Sequence, residues 1–284
     1  MKPAPFAYRR PETVEEALEA LAREPGAKVL AGGQSLVPLL SMRLASPGTL
    51  VDVNRLPGLD QVTVSDDEVR VGALVRHADL LAHAPAGERQ PLLAMALAHV
   101  AHATIRNRGT TVGSIVHADA AAEMPTVLAL LGGSVEVASV RGRRTIAAAD
   151  LFAGPLESTI AADELALSAG FPVLGPGEGV GFAEVARRHG DYALCGVAGL
   201  VRVEDDAVTE ARLGYLSVAD VPTVVDVTGC DPAEAAARAL ERIEPGDDIH
   251  ASAAYRAQLV KVLTRRVLTA ATDDARSRDA RRTG

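Results

Sequence analysis

Lys28-Val29-Leu30-Ala31-Gly32-Gly33-Gln34-Ser35-Leu36-Val37-Pro38 decides how the first third of the chain is read. A short apolar run suited to a strand meets a double glycine, and Pro38 comes next where a helix can open. Proline in that place gives up only an amide hydrogen the helix does not use. A bend between a strand end and a helix start lets successive amides point into one concavity and grip an anion without a cationic side chain. The stretch is neither GxGxxG nor GxxxxGK[ST], so the two usual nucleotide signatures are missing.

Working outward, Thr13-Val14-Glu15-Glu16 reads as a capping box, and Ala17, Leu18, Leu21 and Ala22 fall on one face of the helix it opens. Gly26 ends that helix, and the helix opened by Pro38 is expected to run through Leu44. Thr49 to Val53 alternates like a strand, which makes the first segment β-α-β with a helix before it. Val62 to Val64 and Val69 to Val71, joined by Ser65-Asp66-Asp67-Glu68, read as a hairpin. His77 to Leu81 and Pro91 to His102 have helical composition, and Gly109 to Ile115 breaks it. Within that break, Arg108-Gly109-Thr110-Thr111-Val112-Gly113-Ser114 forms a second glycine-bearing turn able to cradle an anion. Val135 to Val140 is a strand ending at Arg141-Gly142-Arg143.

The clearest boundary is Gly175-Pro176-Gly177-Glu178-Gly179, so the chain divides into residues 1–175 and 176–284. Beyond it, Ala198 to Val203 and Ala207 to Tyr215 form a hairpin around Asp205-Asp206. Asp231 caps a helix from Pro232 to Ile243, and a last helix runs from about Ser252 to about Ala271. The segment from about Asp273 to Gly284, poor in apolar residues, is expected to be mobile.

Composition removes several functions. With 29 Lys+Arg against 37 Asp+Glu the net charge is −8, and aromatics are scarce with no Trp, which argues against nucleic-acid binding. No apolar run reaches membrane-span or signal-peptide length, so a cytoplasmic location is expected. Cys195 and Cys230 are too few for an iron–sulfur cluster or a cysteine zinc site, so any such cluster belongs on another chain. His99 and His102 sit at helical spacing without an HExxH context and read as packed or surface histidines, and no metal site is expected. In a chain of this charge a pyrophosphate is repelled at long range, so aligned amides in a dry cleft must hold it. Two such cradles suit a dinucleotide.

Four stretches carry a resemblance: Met1 to Phe6, Ala31-Gly32-Gly33-Gln34-Ser35-Leu36-Val37-Pro38, Asn107-Arg108-Gly109-Thr110 through Ala118-Asp119, and Arg187-Arg188-His189-Gly190-Asp191-Tyr192-Ala193. In this order they resemble the FAD-binding medium subunit of the molybdenum hydroxylases, the family of aerobic carbon monoxide dehydrogenase and xanthine dehydrogenase. The resemblance implies an α+β fold: a PCMH-type FAD-binding domain of two α+β subdomains, then a smaller C-terminal domain with an antiparallel sheet and helices. It implies non-covalent FAD, with Ala31, Gly32, Gly33, Gln34, Ser35 and Leu36 around the pyrophosphate and Thr110, Gly113 and Ser114 in the second loop. Glu123 is implied near the ribityl chain and Tyr192 at the isoalloxazine ring. Partners implied are an iron–sulfur small subunit and a molybdopterin large subunit, with a small-molecule electron acceptor; no catalytic acid or base is needed on this chain.

Two departures stand out. The family's second loop usually reads Thr-Ile-Gly-Gly-Asn, whereas Val112 and Ser114 occupy two of those places here, and this predicts an altered loop. The lysine the family often carries before the double arginine is absent, with Ala183 and Glu184 nearby. The altered loop motivates an alternative, a stand-alone FAD-dependent oxidase or dehydrogenase acting on a small organic substrate. Cys195, in an apolar stretch, reads as an inert buried thiol, and His117 as a turn histidine.

Overall fold

The computed structural model describes residues 2–283. Three layers succeed one another along the chain. The first is a parallel sheet made by β1 (Ala7–Arg9), β2 (Lys28–Leu30) and β3 (Thr49–Asp52) in the order β1-β3-β2, with α1 (Val14–Arg23) and α2 (Leu36–Met42) as the connecting helices. The Thr13 hydroxyl accepts from the Glu16 amide as expected of a capping box, and Ala17, Leu18 and Leu21 are buried against Val51 and Val53. Strand β1 was not expected: it is three exposed residues long and carries no alternation, so only its pairing with β3 defines it.

The second layer is an antiparallel sheet of β4 (Val62–Val64), β5 (Glu68–Gly72), β6 (Ser134–Ser139), β7 (Gly142–Ala147) and β10 (Leu165–Pro172), in the order β4-β5-β10-β6-β7. Between β5 and β6 lie six helices: α3 (His77–Leu81), α4 (Ala84–Arg89), α5 (Pro91–Leu97), α6 (Ala103–Arg106), α7 (Thr111–His117) and α8 (Glu123–Leu131). A small hairpin, β8 (Phe152–Gly154) with β9 (Glu157–Ser158), precedes β10. The core of this layer, around Phe171, Leu93, Leu97, Met124 and Leu128, includes Val180, Ala198 and Leu200 from the next layer, so the two share one apolar interior.

The third layer is the meander β11 (Glu178–Ala186), β12 (Ala193–Glu204), β13 (Ala207–Leu216) and β14 (Thr223–Asp226), with α9 (Pro232–Leu240) and α10 (Ala253–Thr283). The expected architecture, two α+β subdomains followed by an antiparallel sheet with helices, is the one observed. Helix α10 packs so closely on the sheet that Cβ atoms at Gly179 and Gly181 would strike its backbone, and at Gly199 the side chain of Val267.

Several local expectations change. Helix α2 begins at Leu36, so Pro38 stands inside its first turn, and it ends at Met42, where Arg43 takes a left-handed conformation with φ 60°. The helix expected from Pro91 to His102 stops at Leu97, and Ala101 turns left-handed with φ 44°. The linker is shorter than its glycines suggest, because Glu178 and Gly179 already pair with Arg202 and Val201. The last helix does not stop near Ala271. Ala275 is fully buried, and Asp274 accepts from the Val180 amide at 3.0 Å and bonds Arg278, so the first part of the segment expected to be mobile is anchored on the sheet. Gly284, the end of that segment, lies outside the described residues.

Candidate functional site

The two glycine loops meet. A Cβ built on Gly32 would lie 2.5 Å from the Arg108 carbonyl oxygen, 2.8 Å from Gly109 Cα and 3.0 Å from the Thr110 nitrogen, so only glycine allows the bends to stack. Gly33 has φ +72°, a conformation that turns the chain and that L side chains rarely adopt. Among the described residues the amides of Gly32, Gly33, Gln34 and Ser35 have no acceptor in the chain. Ser35 caps α2 without a side-chain bond, and the Gln34 side chain donates to the Gly32 carbonyl, which stiffens the bend. Ala31, Gly33, Gln34, Ser35 and Leu36 remain partly accessible while Gly32 is buried at the junction.

The stacking is secured by two side chains that sequence reading did not single out. Arg76 Nη1 donates to the Arg108 carbonyl at 2.6 Å and Nη2 to Asn54 Oδ1 at 2.8 Å, and Asn54 Nδ2 donates to the Ala31 carbonyl at 2.8 Å. Asn54 is itself oriented by Asp52, whose other oxygen accepts from the Tyr8 hydroxyl. One arginine thus ties the first loop to the second through three charge-assisted or amide hydrogen bonds. Beneath the second loop, His77 is buried, touches Thr111 Oγ1 through Nδ1 at 3.2 Å, and is pushed down to about 4 by burial and by the nearby Arg106 charge. It is a neutral packing group at neutral pH.

The second loop differs from its expected form. The chain leaves the helix over residues 107–110 as expected, but residues 111–117 then form helix α7, and the Thr110 hydroxyl caps it by accepting from the Gly113 amide at 3.2 Å. Val112 is buried in the core shared with Ile115 and Met124. Its β-branched side chain is therefore taken up by the core. Gly113 and Ser114 are partly accessible in the same first turn.

Helix α8 brings in Glu123 as its first residue, buried, with its carboxyl pushed up to about 8 by desolvation first and then by the charge of Glu184. The signal for this helix was hidden, because its residues are apolar on nearly every side and show no amphipathic period. Tyr192, in the bend before β12, is 66% exposed, which excludes a core tyrosine. Partial desolvation and the Asp119 and Glu123 carboxylates raise its hydroxyl pKa. Cys195 is buried, and its thiol is pushed up to about 12 by desolvation, as fits an inert side chain. His117 closes α7 with its pKa lowered by burial.

The candidate site thus has two amide-bearing bends locked together, and Tyr192 and Glu123 lie within electrostatic reach of one another. Its donor set fits a diphosphate joined to an extended polar and aromatic group: free amides for the anion, hydroxyl and carboxyl groups for the remainder of the ligand. Residues 4–174 match the family model described as the FAD binding domain in molybdopterin dehydrogenase, and residues 181–229 match that of the CO dehydrogenase flavoprotein C-terminal domain. The chain belongs to this family. The first match spans the first two layers, and the second begins within β11. Among its relatives is the nicotine 6-hydroxylase medium subunit of Paenarthrobacter nicotinovorans, 40% identical over 95% of this chain and 99% of that one. The carbon monoxide dehydrogenase medium chain of Hydrogenophaga pseudoflava is 31% identical over 95% and 98%. The structure superposes on a chain of quinoline 2-oxidoreductase from Pseudomonas putida 86 with a TM-score of 0.89 at 36% identity, covering 98% of this chain and all of the other. Among the described residues no helix is long and apolar enough to cross a membrane, and no three potential ligands gather as a metal site.

Proposed function

We propose that this chain is the FAD-carrying medium subunit of a molybdenum hydroxylase, passing electrons from partner iron–sulfur clusters to a small-molecule acceptor. The iron–sulfur clusters sit on a small subunit and the molybdopterin on a large one, and the assembly works in the cytoplasm. The chain divides at residue 175, with the FAD-binding unit before it.

The observation that carries this reading is the interlocked pair of bends, in which Gly32 abuts Arg108 to Thr110 and four neighbouring amides stand free. Ala31 to Leu36 hold the diphosphate, Thr110, Gly113 and Ser114 form the second side, Glu123 lies by the ribityl chain, and Tyr192 faces the ring. Bound FAD supplies the redox chemistry, and the protein's part is to bind, orient and exclude water. The free amides stabilise phosphate charge without a cation, which a chain of net charge −8 requires. The stand-alone oxidase alternative keeps only Ser114 as its motive, since Val112 lies in the core.

Purification of the full chain from its native source tests the proposal. Flavin absorption together with co-eluting iron–sulfur and molybdenum chains is the expected result; a flavin-bound chain that turns over a substrate alone overturns it.

A further inference from the structure

The bend that carries Tyr192 belongs to the C-terminal sheet by sequence and touches the FAD-binding domain on two sides. It runs from Arg187 to Tyr192 between β11 and β12, and the tyrosine ring is largely exposed, so the backbone beneath it decides where the ring stands. The first segment to meet it follows α5. There His99 Nδ1 faces Glu184 Oε1 at 3.3 Å, the His99 ring lies 5.3 Å from that of Phe182 and 6.4 Å from that of His189, and Ala101 turns left-handed. Gly190, with φ +87°, sits on this turn: a Cβ there would lie 2.6 Å from the His102 ring and 3.0 Å from the Ala101 carbonyl oxygen. The ring could swing aside, but the carbonyl belongs to the backbone, and L side chains rarely adopt that φ.

The second segment is the turn from Ala118 to Ala122, which joins α7, the helix opened by the second amide loop, to α8. Ser217, just past the end of β13, ties the bend to it. Its amide donates to the Ala120 carbonyl at 2.8 Å, and its hydroxyl donates to the carbonyl of Ala193, the residue after Tyr192, at 2.5 Å. Ser217 has φ +64°, a left-handed conformation that costs a serine energy and persists only where its surroundings impose it. Its two bonds run to different domains, so one strained residue joins them across their seam. At the start of the bend, Arg187 Nη1 donates to His250 Nδ1 at 3.0 Å, which holds that end to its own domain.

We propose that Ser217 and Gly190 are positioning residues for Tyr192: they hold its bend on the FAD-binding domain at two points, and the ring stands where this seam puts it. Each acts through the backbone of the bend and not as a catalytic residue. The clamp rests on these contacts alone; the ring's target, the isoalloxazine of FAD, rests on the function proposed above.

Ser217→Gly tests the clamp with the fold kept, because glycine takes φ +64° without cost and only the hydroxyl bond is lost. In the full chain without FAD, hydrogen exchange at the Asp191 amide, which donates to the Arg188 carbonyl at 3.1 Å, is expected to quicken about two- to tenfold, the effect of losing one neutral hydrogen bond, while β10 exchanges as before. Gly190→Ala, which leaves Ser217 in place, is expected to act with the same sign. An Asp191 amide unmoved by a substitution overturns that residue's role, and a rise shared equally by β10 marks general loosening and overturns it too. In the FAD-loaded chain, Ser217→Gly is expected to shift the flavin absorption in the direction that Tyr192→Ala does, and to add nothing once Tyr192 is already alanine. A shift from Tyr192→Ala with none from Ser217→Gly, or equal shifts in both backgrounds, overturns the positioning of the ring. If the Asp191 amide responds but Tyr192→Ala leaves the flavin absorption in place, or no FAD is taken up, the clamp stands and the reading of Tyr192 as a flavin contact falls.

Discussion

The cleft has two sides built on opposite principles. On one, the bends at Gly32-Gly33 and Arg108 to Thr110 present main-chain amides held by packing and by the Arg76–Asn54 clasp. On the other, Glu123 is a buried carboxyl at the start of α8, and His99 Nδ1 faces Glu184 Oε1 at 3.3 Å. Amides do not titrate, so the geometry of the first side does not depend on pH, whereas burial raises the Glu123 carboxyl to about 8 on the second.

The sharpest way to break this comparison is to spoil the geometry. Gly32→Val places side-chain atoms inside the Arg108 and Gly109 backbone, and FAD affinity measured by fluorescence is expected to fall by roughly two orders of magnitude or more. Arg76→Ala, which unties the loops without adding bulk, is expected to weaken FAD by about ten- to a hundredfold, the effect of losing hydrogen bonds worth about 1.5–3 kcal/mol from a charged group. Val112→Gly separates fold from site. Its cavity and lost helix propensity are expected to cost about 2–4 kcal/mol in denaturant melts, while the folded fraction binds FAD as before.

Stability against pH distinguishes the two sides by sign. His77 has a depressed pKa when folded, so stability is expected to drop as pH falls from about 6.5 toward 4, by on the order of 3 kcal/mol. Glu123 and His99 have raised values, so their contribution is lost as pH rises, for Glu123 between about 4.5 and 8 and for His99 upward through its folded value. Thermal melts of Glu123→Gln are expected to lack the Glu123 part of the alkaline loss and to keep the acid one. The smallest effect belongs to Tyr192→Ala: the ring is largely exposed, so stability should change by less than about 0.5 kcal/mol while the bound flavin's absorption shifts.

Elements with a local signature were legible beforehand. The N-caps at Thr13 and Asp231, the hairpin around Ser65 to Glu68 and the strands flanking Asp205-Asp206 lie where their residues suggest. Strand β10, the centre of its sheet, and helix α8 were not read, because runs buried on every side lack the alternation that marks a half-exposed element. Residues 111–117 were misread as part of the break, since the threonine and glycine of the second loop serve a helix cap as readily as a turn.

For this protein, the order of residues by itself determined the two bends, their glycines and the family pattern, because turn chemistry and capping depend on neighbours a few positions apart. Only the folded chain decided that Gly32 rests on Gly109, that Arg76 and Asn54 bind the bends together, and that Glu184 of the C-terminal sheet meets His99 and the charge field of Glu123. Those partners come from separate elements, and their burial and mutual charge exist only once the layers have closed on one another.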